Sequence, residues 1–284
     1  MMKKIGILYH PLIETAPEVA AKIAGLLTSR HISVWLGSSW ETANARTRLN
    51  GTELILSIGG DGNILRCAQV VLGTNIPITG INLGRLGFMT ELSVNEFESK
   101  FPHVLHGEGW IDERTMLEVR PPQPSGQPET VLHALNDVVV ARGATIRVLN
   151  TQVSINGAKF TTYVADGVIV ATATGSTGYA LSAGGPILHP QAAEFLLSPL
   201  LPHLSLPYTM VLPRTSIISL EVSTPLPALL SIDGHISLPL ENGSAVTIKE
   251  SRFKIRFLRI HPEASFYTAL EQKLRGRRDA NPSR

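Results

Sequence analysis

Four residues in the stretch "LILSIGGDGNIL", residues 54 to 65, combine features that chemistry can use: Gly59, Gly60, Asp61 and Gly62. Glycines reach backbone angles closed to other residues, so the amides around them can converge on one oxyanion. An apolar run that empties into such a turn before apolar residues resume reads as a strand, a tight loop and the start of a helix. Open parallel α/β sheets bind ligands at that place. The acid calls for a reason, because loops of this shape cradle phosphate and Asp61 repels it. Two explanations stand: Asp61 caps the following helix, or it works beside a bound phosphate. No G-x-x-x-x-G-K-[ST] and no G-x-G-x-x-G occurs in the sequence.

A second dense stretch is "YVADGVIVATATGSTGYALSAGGPILHP", residues 163 to 190. Its small residues let backbone approach a flat ligand, and its Ser, Thr and Tyr side chains offer neutral hydrogen bonds to sugar hydroxyls and phosphates. A glycine-rich turn between strands explains Gly184 and Gly185 but leaves "TGSTGYALS" without a reason. A third is "ALNDVVVARG", residues 134 to 143, where Asn136 and Asp137 interrupt an apolar strand. Adjacent strand residues face opposite sides, so one of the two is buried with partners, or a bulge re-aims the pair toward a site.

The elements that must position these residues follow from apolar periodicity. From residue 3 to about 106, strand-like runs ("KKIGILY", "ISVWL", "ELILSIG", "IPITGIN") alternate with helix-like ones, the rhythm of βαβ units. The expectation is an α/β domain over residues 1–110, with a parallel sheet covered on both faces. From 111 to 262 the runs become short and alternating, with turn signals such as "NG" at 156–157 and "ENG" at 241–243, which predicts an all-β, sandwich-like second domain. Residues 263–284 hold a helix-like "SFYTALEQKLRG", expected to cover part of the first domain, and a basic tail "GRRDANPSR" expected to be disordered. The proline-rich "PPQPSGQPE" at 121–129 reads as a hairpin tip or mobile loop.

Composition sets the outer limits. With 284 residues, 43% of them apolar, the chain has material for sizeable cores. Its 25 basic and 23 acidic side chains nearly cancel, so no global field points to nucleic acid, membrane or a polyanion. The single cysteine, Cys67, excludes an internal disulfide and a multi-cysteine metal site, which fits a reducing compartment and a cytoplasmic setting. The apolar run at the start is too short for a signal peptide, and Pro199, Pro202 and Pro207 break the richest later run, so no transmembrane segment is expected.

Together, "GGDGNIL", "NLGRLGFMTEL", "ALNDVVV", the 163–190 stretch and "SIDGH" resemble the NAD kinase family in order and spacing over nearly the whole chain. "GGDG" alone is shared with lipid kinases; the long central stretch is more specific. The resemblance implies an α/β domain, a β-sandwich-like domain and a site in the crevice between them. It implies NAD and ATP as ligands, Mg²⁺ or another divalent ion with the ATP, and a homodimer or homotetramer, and it singles out no residue as a metal ligand. It makes Asp61 the general base, with Gly62 and Arg66 beside the phosphates and Phe88 against the adenine. It makes Asn136 and Asp137 a ribose-holding pair and puts Asp166 near the nicotinamide amide. Thr174, and Thr177, Gly178, Tyr179, Ala180, Leu181 and Ser182, surround the adenosine part, while Arg147 and His235 lie near the nucleotide. The chain departs from the family pattern at Asp137, where glutamate is usual, and at Ala173, Gly178 and Ala180, where proline, alanine and serine are expected.

On this reading phosphoryl transfer is mostly positioning and charge stabilisation, and Asp61 accepts the proton of the adenosine ribose 2′-hydroxyl late, as attack acidifies it. A lipid kinase using the same "GGDG" predicts an apolar membrane-binding surface, and a non-catalytic nucleotide sensor predicts binding without turnover. A serine hydrolase built on Ser176 and His189 lacks the G-x-S-x-G elbow.

Overall fold

A computed structural model describes residues 2–84, 87–123, 126, 128–143, 148–203, 207–223 and 227–279. The chain divides into two compact units, one of residues 1–113 and 255–284, the other of residues 114–254.

The first unit winds as β1 (Lys4–Tyr9), α1 (Ala16–Thr28), β2 (Ser33–Ser38), α2 (Thr42–Thr47), β3 (Leu54–Ile58), α3 (Asp61–Val71), β4 (Ile78–Asn82), β5 (Leu92–Ser93) and α4 (Val94–Leu105). The strands pair in parallel in the order β2-β1-β3-β4-β5, with Ile5 opposite both Val34 and Leu54, and Ile55 opposite Ile78. Side-chain alternation then decides the packing. Ile5, Ile7, Leu54, Leu56 and Ile81 share a core with Ala20, Ile23 and Leu27 of α1 and Phe97 and Phe101 of α4. Residues of the other parity leave room on the opposite face: Gly6 lies against the Trp35 indole and Gly80 against Ile64 of α3. Both faces are buried, with every residue of β3 and β4 enclosed, and β3 reads as a nearly continuous apolar run. The start of α4 is fixed by a capping box in which Ser93 Oγ accepts from Glu96 N and Glu96 Oε2 accepts from Ser93 N.

The second unit is antiparallel. Its strands are β6 (Trp110–Arg120), β7 (Leu132–Ala134), β8 (Asp137–Arg142), β9 (Leu149–Ile155), β10 (Ala158–Ala165) and β11 (Gly167–Ala171); then, after a short helix α5 (Tyr179–Ser182), come β12 (Phe195–Leu200), β13 (Met210–Leu212), β14 (Ile218–Val222), β15 (Ala228–Ile232), β16 (Ile236–Leu240) and β17 (Ala245–Arg259). Parts of β6 and β17 belong to the first unit. One sheet runs β13-β12-β11-β8-β15-β16, and β10-β9-β14-β17 pair in another. Val138, Val140, Val168 and Val170 of the former share a core with Val153, Leu220, Val246 and Ile248 of the latter, which makes a sandwich. The intervening Val139, Ile169 and Ala171 pack on the other side with Ala180 of α5. The expected "NG" turn joins β9 to β10, with Asn156 and Gly157 both at positive φ. The stretch 121–129 connects the antiparallel β6 and β7, with residues 124, 125 and 127 outside the described set.

The chain ends in α6 (Ser265–Asp279), grouped with the first unit. The helix corrects the expectation of a disordered tail from 276: residues 276–279 continue it, and 280–284 lie outside the described residues. "LRGRR" has a good helix-forming majority, and one glycine late in a helix costs only about 1 kcal/mol.

Candidate active site

In the first unit, β3 delivers the chain to Gly59, whose amide donates to Ile81 O at 2.9 Å, and α3 begins with Asp61. Gly60 holds the N-cap position and no side chain caps the helix. The capping explanation of Asp61 therefore fails. Its carboxylate turns instead to the loop after β4, where Oδ2 accepts from Phe88 N at 2.8 Å and Oδ1 from Met89 N at 3.0 Å. Gly87 lies directly under it, and a methyl group on its Cα would overlap Asp61 Oδ1, so this position is closed to any larger residue. Gly60 and Gly62 are exposed with open space where a Cβ would point, leaving room for a ligand against their backbone. Asn63 ties the first turn of α3 down: its Nδ2 donates to Leu8 O at 3.1 Å and to Ser57 Oγ at 2.9 Å.

The loop that receives Asp61 is itself held by a buried charge cluster. Arg259 donates from Nη1 to Met89 O at 2.8 Å and to Glu91 Oε2 at 3.2 Å, and from Nε to Asp112 Oδ2 at 3.2 Å. From α6, Lys273 Nζ stands 3.6 Å from Asp61 Oδ2 and 3.7 Å above the Phe88 ring. Arg66 extends from α3 over the half-exposed Trp40 ring, 4.6 Å from its centroid.

In the second unit the organiser is Asp233, in "SIDGH". Its φ of 50° follows from the Asp-Gly turn between β15 and β16. Its carboxylate accepts three backbone hydrogen bonds, from Leu135 N at 2.8 Å, Asn136 N at 2.7 Å and Asp137 N at 3.1 Å. These bonds bend the chain at 135–136, so Asn136 and Asp137 do not interrupt a strand as the sequence suggested: Asn136 sits in the bend and Asp137 opens β8. Burial pushes the Asp137 carboxyl up to about 7, helped by the neighbouring Asp233, which burial raises to about 6 against the pull of its three amides. Of the two, Asp233 is the one held ionised, because only it is paid by three donors. Asn136 Oδ1 is buried with no hydrogen-bond partner among the described residues.

The 172–178 loop is sewn to this bend. Thr172 N donates to Asn136 O at 2.9 Å and Thr172 Oγ1 to Leu135 O at 2.6 Å. A Cβ on Gly175 would overlap Asn136 O, and one on Gly178 would stand 3.2 Å from Gly175 O and 3.5 and 3.8 Å from Asn136 Nδ2 and Asp137 Oδ2. A cavity of about 500 Å³ opens here, lined by Asn136, Asp137, Arg142, Tyr179 and Asp233 among others. Asp166 is paired with Arg142 at 3.1 Å.

The second unit thus brings Asn136, Asp137, Gly178 and Tyr179 together, and the first unit brings Asp61, Gly62 and Phe88 together. The remaining expected residues sit differently. Thr174 is buried and its Oγ1 accepts from Arg114 at 3.2 Å, while Thr177 Oγ1 donates to Thr174 O at 3.1 Å. Ala180 is fully buried in a small core, so its methyl serves packing; Leu181 is half-buried and Ser182 exposed. His235 Nδ1 lies 3.1 Å from Asp233 O, and Arg147 lies outside the described residues. Ser176 is no nucleophile: its buried Oγ donates to Ala173 O at 2.6 Å and accepts from Leu188 N at 3.0 Å. Asp233, Gly87, Arg259 and Lys273 were not singled out from sequence. The Asp-Gly turn carried a usable signal for the first; the others depend on tertiary contacts.

Residues 19–109 match the family model of the ATP-NAD kinase N-terminal domain, and residues 135–260 that of the ATP-NAD kinase C-terminal domain. The chain is 47% identical over 281 residues to an NAD kinase of Dehalococcoides mccartyi, covering 99% of each chain. It is 36% identical over 275 residues to an NAD kinase of Chloroflexus aurantiacus, covering 97% of this chain and 99% of the relative. Among solved structures, yeast NADH kinase complexed with NADH superposes with a TM-score of 0.83 at 25% identity, covering 96% of this chain and 87% of that one. An Archaeoglobus fulgidus NAD kinase in complex with ATP shares the fold, with a TM-score of 0.76 at 24% identity over 94% of this chain and 98% of the other.

Proposed function

The chain belongs to the NAD kinase family, and on that premise we propose that it transfers the γ-phosphoryl group of ATP to the 2′-hydroxyl of the adenosine ribose of NAD, giving NADP and ADP. The observation that carries the reading is the posture of Asp61. A carboxylate at the first position of a helix that it does not cap, fixed by two amides beside two exposed glycines, is oriented for work on a ligand. In the transfer the O2′–Pγ bond forms as the bond from Pγ to the ADP oxygen breaks, and the 2′-hydroxyl proton passes to Asp61. An ionised carboxylate offers about four lone-pair sites, and the two amides leave enough for that proton.

Asn136 Oδ1 and the Asp137 carboxylate hold the ribose hydroxyls in this proposal. The orphaned amide oxygen gains a donor from the sugar, and Gly178 keeps the space beside the pair open. Tyr179 and the backbone of the 172–178 loop lie along the adenosine, and Phe88 along the adenine. Among the described residues no three His, Cys, Asp or Glu side chains meet as a metal cage. Mg²⁺ takes most of its ligands from nucleotide phosphates and water. When bound there, the ion supplies charge neutralisation of the donor phosphates.

Incubating the protein with NAD, ATP and Mg²⁺ and detecting NADP with an NADP-specific dehydrogenase tests the proposal, and absence of NADP under varied metals and donors refutes it. The same reading makes the protein a cytoplasmic enzyme of NADP synthesis, assembled as a homodimer or homotetramer, which sedimentation equilibrium checks. No helix among the described residues is long and apolar enough to cross a membrane.

A further inference from the structure

An acid among phosphate-binding glycines leaves an electrostatic problem, and α6 carries a residue able to solve it. Lys273 Nζ is 3.6 Å from Asp61 Oδ2, a charge contact rather than a hydrogen bond, and it rests 3.7 Å above the Phe88 ring. Both partners of the pair are partly exposed, with side-chain exposures of 29% and 28%, so the pair contributes little to stability. Phe266, Ala269 and Leu270 of α6 are half-buried on the same face, while Tyr267 is 61% exposed and Leu274 40%.

Yet the helix is rooted in the cluster that holds the Asp61 loop. Glu91 Oε1 accepts from Ile260 N at 2.8 Å and His261 N at 2.7 Å, just before α6, and Glu91 Oε2 binds the Arg259 that fixes Met89 O. One buried cluster therefore sets the place of both the Phe88–Met89 amides and the root of the helix that carries the ammonium.

We propose that Lys273 is a positioning residue of the transfer reaction, the countercharge that lets an anionic phosphate donor approach the Asp61 carboxylate. Without it, a triphosphate entering over Gly60 and Gly62 meets an uncompensated negative charge. With it, the carboxylate and ammonium present no net charge to the donor, while the carboxylate stays fixed by its two amides. Lys273 gives up no proton and forms no bond in the step. The inference rests on the role proposed for Asp61.

The test exploits the cysteine content. Cys67 is the only cysteine in the sequence, it is fully buried, and burial pushes its thiol up to about 12, so it does not compete for alkylating reagents. Lys273→Met is expected to raise the Michaelis constant for ATP and lower kcat/KM for ATP by about 10- to 100-fold, with the dissociation constant for NAD within twofold and the thermal midpoint within about 2 °C. Lys273→Cys should be equally impaired. Treatment with 2-bromoethylamine, which rebuilds an ammonium at nearly the lysine length, should restore at least half of the activity, and iodoacetamide, which leaves a neutral group, should not.

A Lys273→Met protein that matches wild type toward ATP, or equal rescue by the neutral adduct, overturns the proposal and reduces Lys273 to packing. Calorimetric titration of wild type and Lys273→Met with Mg·ATP gives a second readout. If wild type makes no NADP, the kinase reading fails, and unequal ATP affinities still decide the role of Lys273.

Discussion

Replacing Asp137 by Asn keeps the side-chain shape and removes a carboxyl whose burial pushes its pKa from 3.8 up to about 7. Between pH 4 and 7 the unfolded chain has lost this proton while the folded protein keeps it. The native state therefore binds more protons, and stability falls as pH rises through that window. Below about pH 4 the penalty is absent. At about 1.4 kcal/mol per pH unit, it reaches roughly 2 kcal/mol at pH 5 and levels off near 4 kcal/mol above pH 7 as an upper bound, since Asp233 shares the titration. Asp137→Asn is relieved of it, so the variant should be more stable than wild type by an increment that grows by roughly 2 kcal/mol between pH 5 and pH 8. For a chain of this size that is a rise of about 4–8 °C in the difference of thermal midpoints. Scanning calorimetry of both proteins at matched pH values measures it, and other titrating groups cancel in the comparison. Function pays in the opposite direction: a ribose hydroxyl donating to Asp137 favours the ionised form, so wild type should release protons on binding NAD near pH 6–7 and the variant should not. A stability difference that does not vary with pH, together with equal proton release, refutes a buried carboxyl with a raised pKa.

Three further outcomes are expected. Asp61→Asn, measured by single-turnover NADP formation alongside calorimetric NAD binding, should keep NAD affinity within about tenfold and lose about 10²- to 10⁴-fold in turnover; turnover near wild type removes Asp61 from the mechanism. Gly178→Leu directs a side chain at Asn136 and Asp137 and should abolish NAD binding with a midpoint within a few degrees of wild type; a large stability loss with normal affinity assigns the glycine to the turn alone. Arg259→Met removes the guanidinium that buried Glu91 and Asp112 share and should cost about 3–5 kcal/mol in urea unfolding; a loss under 1 kcal/mol means the cluster is not what holds the loop.

Legibility from sequence followed the range of the interactions. The βαβ rhythm, the Asn156-Gly157 turn and the burial of both faces of β3 and β8 are written in apolar periodicity and turn chemistry, which act over a few residues. Asp61 was visible because an acid between glycines is locally unusual. Its orientation was not, since helix capping and binding the 88–89 amides place the same residue at the same position of α3, and only the loop after β4 distinguishes them. The Asn136–Asp137 pair shows the same limit. Strand alternation required a special arrangement there, but the arrangement is imposed by Asp233 across β8 and β15, a contact between distant parts of the sequence.

Asp233 and Lys273 act on their neighbouring carboxyl groups in opposite electrical senses. Burial, helped by the adjacent Asp233 that three amides hold, makes Asp137 reluctant to lose its proton, and in the proposed complex a donating ribose hydroxyl draws that proton off. Lys273 balances the charge of Asp61, so that a carboxylate can remain where an anion must come. On the proposed reading, a carboxyl group that meets a neutral ribose and a carboxylate that meets a triphosphate need different surroundings, and those of Asp137 and Asp61 differ in that sense.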